Sequence, residues 1–417
     1  MRLMILTAGS RGDVEPFAVL AREAVRRGHQ VRLAVPDHSG VDLSGLDVVS
    51  LGVDFARLVS GQGVSPWAAA RAFTSTVRPM MRTLFVTAVQ RCLEFEPDVI
   101  VHHPKVLSAD LAARRLGVPR VLVELTPSVT ATREFPAPGV VHVDLGPLNR
   151  MTYLASAASA RMFASELEAA ARAAGLTGSA RAGAAQTTLV PISRHLLPRP
   201  ADWPDSVHLT GAWQDARPAA LDPAVEEFIW RGPFLYAGFG SMAAGDPVAR
   251  AETIVAAARA RSLGTLLLTG WGGLELPDHL RGDDVLALPS LPHDQVLPLA
   301  YAALHHGGAG TVHAAARAGT VSLVLPFIAD QPFWGRLLHR DGLAPRPLSR
   351  RRLTVARLGH ALDQVEDYRP AAHTISEQLM SEHGVTSACE LLESITSRFT
   401  PQHHRTSSLT HGKEGHE

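Results

Sequence analysis

The sequence predicts an α/β protein built from two Rossmann-like, doubly wound domains that face each other across a cleft. Three observations predict it. Short apolar runs alternate with amphipathic stretches, the βαβ pattern of a parallel sheet. The order strand, glycine turn, helix opens each half of the chain, first at Leu3 and again at Phe234. A proline-rich stretch separates the halves. The 417 residues also exceed what one core usually fills and suit two.

In the first half, Leu3–Ala8 reads as a buried strand and Gly9–Asp13 as a turn. Pro16 suits a helix start, and Phe17, Leu20, Ala21 and Ala24 recur at helical spacing. Gly28 ends that helix and Val31–Val35 is the next strand. The alternation returns as a strand at Val99–His102, a helix at Ala109–Gly117 and a strand at Arg120–Leu125. Residues 151–185 are Ala-rich and read as helical. Prolines at 198, 200, 204, 218, 223 and 233 then interrupt any regular element. The second half opens with a strand at Phe234–Ala237, a turn at Gly238-Phe239-Gly240-Ser241, a helix over 247–261 and a strand at Thr265–Thr269. The expected division is an N-terminal Rossmann-like domain over 1–200, a linker over 201–232 and a C-terminal Rossmann-like domain over 233–385. A last helix over 386–398 and a polar, disordered tail over 399–417 complete the chain.

Composition narrows the function. The net charge is zero, so a nucleic-acid surface is not expected. Lysine occurs only at Lys105 and Lys413, so any phosphate site must use backbone N–H groups, helix N-termini, hydroxyls, His or Arg. Cys92 and Cys389 fit no metal spacing and no disulfide framework, which agrees with a reducing compartment. The apolar start is too short for a signal peptide, and no run approaches the roughly 18 apolar residues of a membrane span. A cytoplasmic protein, monomer or homodimer, is expected.

The chemistry concentrates after three strands. Tyr301–His305 reads as a strand and Thr311–Arg317 as a helix, with His306-Gly307-Gly308-Ala309-Gly310 between them. Such a turn points free N–H groups of a helix N-terminus at an anion, and Thr311 and a neighbouring His add donors. The bland alternative is tight strand–helix packing. Neither GxxxxGK[ST] nor GxGxxG is present, which argues against P-loop and dinucleotide chemistry. Next, the strand Leu323–Pro326 leads into Asp330-Gln331-Pro332-Phe333-Trp334, where a carboxylate and an amide can hold sugar hydroxyls. Asp330 could instead simply cap the following helix. Trp271, Ser290 and Leu291 are candidates to cover a nucleobase, with packing as the alternative for Trp271 and a surface place for His293. After the first strand, Asp13 either caps the helix or accepts a proton from an acceptor hydroxyl, for which its acidity would have to fall. Phe73, Met80 and Met81, with Leu84, form an apolar stretch suited to a greasy acceptor or to a core helix.

These segments together resemble a known family. His305-His306-Gly307-Gly308-Ala309-Gly310-Thr311 followed by Asp330-Gln331 is similar to the donor signature of family 1 glycosyltransferases. Gly9-Ser10-Arg11-Gly12-Asp13-Val14-Glu15-Pro16 resembles the opening of their vancomycin-group and sterol members. Gly238-Phe239-Gly240-Ser241-Met242 and Pro292-His293-Asp294 resemble further family segments. The resemblance implies a GT-B fold and inversion at the sugar carbon, with no metal and no cofactor beyond a UDP- or TDP-sugar as co-substrate. It implies that Asp13 is the base. His306, Gly308, Ala309, Gly310 and Thr311 would bind the diphosphate, with Ser10, Gly12 and Ser241 close by. Asp330 and Gln331 would hold the sugar, and Trp271, Ser290 and Leu291 the nucleobase. The last helix would return to the N-terminal domain. Two positions depart from the pattern: Asp13 stands where many relatives have His, and Gln295 where many have Trp. The expected partners are a small-molecule donor and a hydrophobic acceptor such as a polyketide, macrolide, glycopeptide or sterol. A GT-B sugar-nucleotide epimerase and a non-catalytic partner of a transferase are the competing functions.

Overall fold

The computed structural model describes residues 1–55, 73–176, 187–214, 220–240, 242, 244–270 and 273–399. Two parallel sheets organise it. The first holds β1 (Arg2–Leu6), β2 (Gln30–Val35), β3 (Asp47–Ser50), β4 (Val99–His102), β5 (Arg120–Val123), β6 (Thr187–Val190) and β7 (Val207–Leu209), in the order 3-2-1-4-5-6-7. The second holds β8 (Phe234–Gly238), β9 (Gly264–Leu268), β10 (Val285–Leu288), β11 (Ala302–His305) and β12 (Ser322–Val324), in the order 10-9-8-11-12. Both sheets therefore reverse direction of growth at their first strand. Ligands bind outside the carboxyl ends of the strands at such a switch point. The turns after β1 and β4, and those after β8 and β11, are thereby singled out by topology.

The central strands are apolar on both faces because helices cover both. Leu3, Met4, Ile5 and Leu6 are fully buried, and each such side chain contributes roughly 1.5–3 kcal/mol. The first helix, α1, runs Arg11–Arg26 and starts five residues before the expected proline. Ser10 is its N-cap, and Pro16 lies in its interior. Two turns need glycine for its backbone freedom: Gly117 ends the helix Ala109–Leu116 at φ +67, and Gly307 turns out of β11 at φ +88. A Cβ on Gly307 would stand 2.7 Å from Val324 Cγ1.

The expected linker over 201–232 is shorter in the structure. Val207–Leu209 pairs in parallel with β6, and Pro223–Trp230 is a helix capped by Asp222. Proline density marked the edges of these elements rather than their absence. The last helix, Gly384–Phe399, lies against α1. Ala388, Cys389 and Leu392 share a core with Val14 and Phe17, and Glu393 pairs with Arg27 at 3.0 Å and His29 at 2.8 Å. The expected tail beyond Phe399 lies outside the described residues.

Several histidines are locked in the interior. Burial pushes His102 and His305 down to about 3, and His313 down to about 4. The unfolded chain takes up protons near pH 6.5 that the fold refuses, so stability falls as pH drops from about 6.5 toward about 4. Each of these histidines steepens the loss by about 1.4 kcal/mol per pH unit. Calorimetry from pH 8 to pH 5 is expected to show a falling midpoint. A flat profile would mean that the folded protein accepts these protons.

Candidate active site

The site assembles from the turns that the two switch points present. After β11, Gly308 is the N-cap of the helix Ala309–Arg317, with φ −67 and ψ 143. The N–H groups of Ala309, Gly310 and Thr311 fall in the first turn, where a helix has no internal acceptor for them. Gly310 has open space where a side chain would project. The turn is held from behind: Gly307 N–H donates to His305 Nδ1 at 3.1 Å. His306 stands partly exposed beside it, with Nδ1 buried and without a partner. Burial lowers its pKa to about 4, so it is neutral at physiological pH. A Cβ on Gly308 would lie 2.5 Å from His306 Nε2, so glycine there leaves room for the ring. The turn has the donor arrangement of an anion cradle.

The neighbouring turns close around it. A Cβ on Gly240 would meet His306 Cε1 at 3.5 Å, and one on Gly270 would meet Gly240 O at 2.6 Å. Gly270 N–H donates to Pro289 O at 3.2 Å, so the two segments expected at the nucleobase lie side by side. Ser290 is exposed and Leu291 half-buried there. Ser241 and Trp271 lie outside the described residues. His293, which sequence alone left as a possible surface residue, is instead hydrogen-bonded to Tyr236 Oη at 2.9 Å.

The donor-sugar loop differs from expectation in its bonding. Asp330 occupies the N-cap position of the helix Gln331–Arg340 but makes no side-chain cap bond. Its Oδ2 instead accepts from Thr126 Oγ1 of the first domain at 2.7 Å and from Trp334 Nε1 at 3.0 Å. Gln331 is buried, and its Oε1 accepts the N–H groups of Phe327 and Ile328 at 2.7 and 3.0 Å. Gly139 of the first domain packs on this loop: a Cβ there would stand 3.3 Å from the Ala329 carbonyl carbon. The loop therefore bridges the domains. Changing Thr126 to Val removes one hydrogen bond to a carboxylate, about 1.5–3 kcal/mol. The donor KM is expected to rise several-fold in steady-state kinetics with varied donor. An unchanged KM would show that this bond does not hold the cleft.

Across the cleft, Ser10-Arg11-Gly12-Asp13 forms the start of α1. Asp13 is the third helical residue, and its Oδ2 accepts Ser10 N–H at 2.7 Å. It is thus not the N-cap. Two residues from the turn after β4 join it: His103 Nε2 lies 3.3 Å from Oδ1 and Lys105 Nζ 3.0 Å from Oδ2. Burial alone would raise the Asp13 pKa. The Lys105 charge and the His103 hydrogen bond outweigh it and hold the carboxyl well below the usual range. This is opposite to the weakened acidity expected of a base. Asp13 is ionised at every working pH, and its basicity is low until those partners move. Gly12 is exposed, with nothing within 4 Å of its Cβ position.

The apolar stretch expected at the acceptor is mostly core. Met81, Leu84 and Phe85 are buried in the first-domain core, and Met80 packs partly buried against it. Phe73 stacks on Phe163 at 5.8 Å. Sequence reasoning missed His103, Lys105, Thr126 and Tyr236. The missing signal was strand order: β4 lies beside β1, so its trailing turn meets Asp13.

Two facing doubly wound domains, with an anion cradle on one and an ionised carboxylate on the other, define a two-domain GT-B fold of the glycosyltransferase type. Comparison agrees. Residues 273–393 match the family described as "Erythromycin biosynthesis protein CIII-like, C-terminal domain". The chain is 31% identical over 438 residues to an O-mycaminosyltylonolide 6-deoxyallosyltransferase of Streptomyces fradiae, covering 97% of this chain and 99% of that one. It is 27% identical over 416 residues to a sterol 3-beta-glucosyltransferase of Arabidopsis thaliana, covering 93% of this chain but only 64% of that relative. A solved calicheamicin glycosyltransferase superposes with a TM-score of 0.71 at 20% identity, over 96% of this chain and 99% of that one. The chain belongs to the family of natural-product and sterol glycosyltransferases.

Proposed function

We propose that this protein transfers a hexose or deoxyhexose from a UDP- or TDP-sugar to a hydroxyl of a hydrophobic acceptor, with inversion at the sugar carbon. The observation that carries this reading is the anion cradle at Gly308–Thr311 on the second sheet, with an ionised Asp13 after the first strand of the other. The relative of Streptomyces fradiae is named for transfer of a 6-deoxyallosyl group to O-mycaminosyltylonolide, and that of Arabidopsis thaliana for transfer of glucose to a sterol. One solved neighbour, at TM-score 0.66 and 19% identity, is a complex with dTDP. The acceptor proposed is a polyketide, macrolide, glycopeptide or sterol-like compound, and the sterol member of that range has the support of the relatives' names.

In this mechanism the diphosphate leaves as negative charge grows on it. First-turn N–H groups, the Thr311 hydroxyl and His306 stabilise that charge without a metal. Positive charge develops at the sugar carbon. Asp13, on the opposite wall, takes the acceptor proton, so attack comes from the face away from the leaving group. The roles proposed are the sugar end for Asp330 and Gln331, the diphosphate for Ser10 and Ser241, and the base for Trp271, Ser290 and Leu291. The bridge from Thr126 to Asp330 favours a closed cleft, which limits access of water to the donor.

The test is a mass-shift screen of UDP- and TDP-sugars against hydrophobic hydroxylated acceptors. Gain of one sugar residue on an acceptor is the expected result. Conversion of a donor with no acceptor present would assign an epimerase instead. No affinity for either UDP or TDP in a titration would sink the transferase reading.

A further inference from the structure

The Asp13 carboxylate is crowded with donors, three of them on Oδ2. Oδ1 faces His103 Nε2 at 3.3 Å. Oδ2 receives Ser10 N–H at 2.7 Å, the Ser10 hydroxyl at 3.2 Å and the Lys105 ammonium at 3.0 Å. A base must offer a lone pair to the hydroxyl it deprotonates, and Oδ2, with three donors on its two in-plane lone pairs, offers one only when a donor leaves. Mobility decides which. Ser10 N–H is fixed at the start of α1, and the Ser10 hydroxyl is a neutral and longer contact, at 3.2 Å, than the ammonium. His103 is buried, and its Nδ1 is held by Lys105 N–H at 3.1 Å. Lys105 Nζ ends a flexible stem whose side chain is 45% exposed. The backbone is also shaped to this pair. Gly9, at φ +139, would with a Cβ collide with Asp13 Oδ2 at 2.0 Å and Lys105 Nζ at 2.6 Å.

We propose that Lys105 is a positioning residue that gates the base: its ammonium holds the acceptor hydroxyl's place on Asp13 Oδ2, and only an acceptor that displaces it is activated. The inference rests on the reading of Asp13 as base. Its consequence is protection of the donor. A bulky apolar acceptor brings binding energy from its whole surface to the displacement, whereas a water molecule brings none. In transfer, the acceptor O–H proton passes to Oδ2 as the new bond to the sugar carbon forms. The bond from that carbon to the diphosphate breaks, and its electron pair leaves on the diphosphate. Hydrolysis is the same step with water as the acceptor, and Lys105 obstructs it. The titratable groups facing Asp13 are His103 and Lys105 from the turn after β4. On its own helix, Arg11 and Glu15 pair with each other at 3.2 Å.

The experiment uses the full chain with a donor and acceptor identified by the mass-shift screen, and compares K105M, K105R, D13N and K105M/D13N. Without acceptor, K105M is expected to hydrolyse donor at least about tenfold faster than the parent, a fraction of what a general base contributes. The double variant loses that gain. With acceptor, the acid limb of kcat/KM lies at higher pH in K105M than in the parent, because the carboxyl loses its compensating charge. K105R keeps the charge and shows neither effect. K105Q replaces K105M if the latter does not fold. Unchanged hydrolysis together with an unchanged pH profile in K105M would overturn the gate. Full transfer by D13N would instead overturn the base assignment, whatever Lys105 does.

Discussion

Asp13→Asn is expected to lower turnover by about 100- to 10,000-fold while leaving nucleotide binding nearly intact, the range for loss of a general base. The two parts separate because the residue belongs to one wall and the donor to the other. Asp13 sits on the first domain, 3.0 Å from Lys105 and 3.3 Å from His103, whereas the cradle lies after β11 in the second. Asn keeps the size and can still accept Ser10 N–H, so the start of α1 should persist. Steady-state rates and a nucleotide titration on the same preparation check both halves. A variant with full turnover would remove Asp13 from the chemistry. A variant with lost nucleotide binding would place it in the donor site instead.

His306→Ala is expected to reduce kcat by roughly 100- to 1,000-fold, as for other single donors to a developing negative charge. The free protein keeps this ring neutral, because burial holds its pKa at about 4. A diphosphate beside it favours the charged form and raises that pKa. Donor binding near neutral pH should therefore be accompanied by proton uptake. The sign follows: a group deprotonated before binding and more basic afterwards takes a proton from buffer. Calorimetric titration with UDP or TDP in buffers of different ionisation enthalpy measures it, and the uptake should vanish in His306→Ala. Equal binding enthalpies in all buffers would show that His306 binds as a neutral donor.

The donor side was largely legible in the sequence because its parts are local. A strand, a glycine turn and a helix within 302–317 define the cradle, and each residue type there has a short-range reason. Gly307 needs a positive φ, Gly308 leaves space for His306, and the small residues at 309–310 expose N–H groups. The opposite wall was not legible to the same degree. Asp13 in isolation reads equally as a cap or a base. What distinguishes it is the company of His103 and Lys105, which no local pattern announces. Asp330 is similar. Its position is that of an N-cap, yet its carboxylate bonds Thr126, 204 residues away. The apolar run at Met80 and Met81 left core and acceptor wall both open because hydrophobicity marks burial without saying whether a core or a ligand does the burying.

Apolar alternation and glycine placement by themselves determined two parallel sheets and the turns that end their strands. Those features depend on φ, ψ and on which side chains leave water, and both are written in neighbouring residues. Tertiary structure alone decided that β4 lies against β1 and that Val207–Leu209 extends the first sheet. From the first of these follows the Lys105–Asp13 pair. From the approach of the two domains follows the Thr126–Asp330 bond. Such contacts join groups distant in the chain, and their energy depends on a geometry that exists only once the sheets have formed.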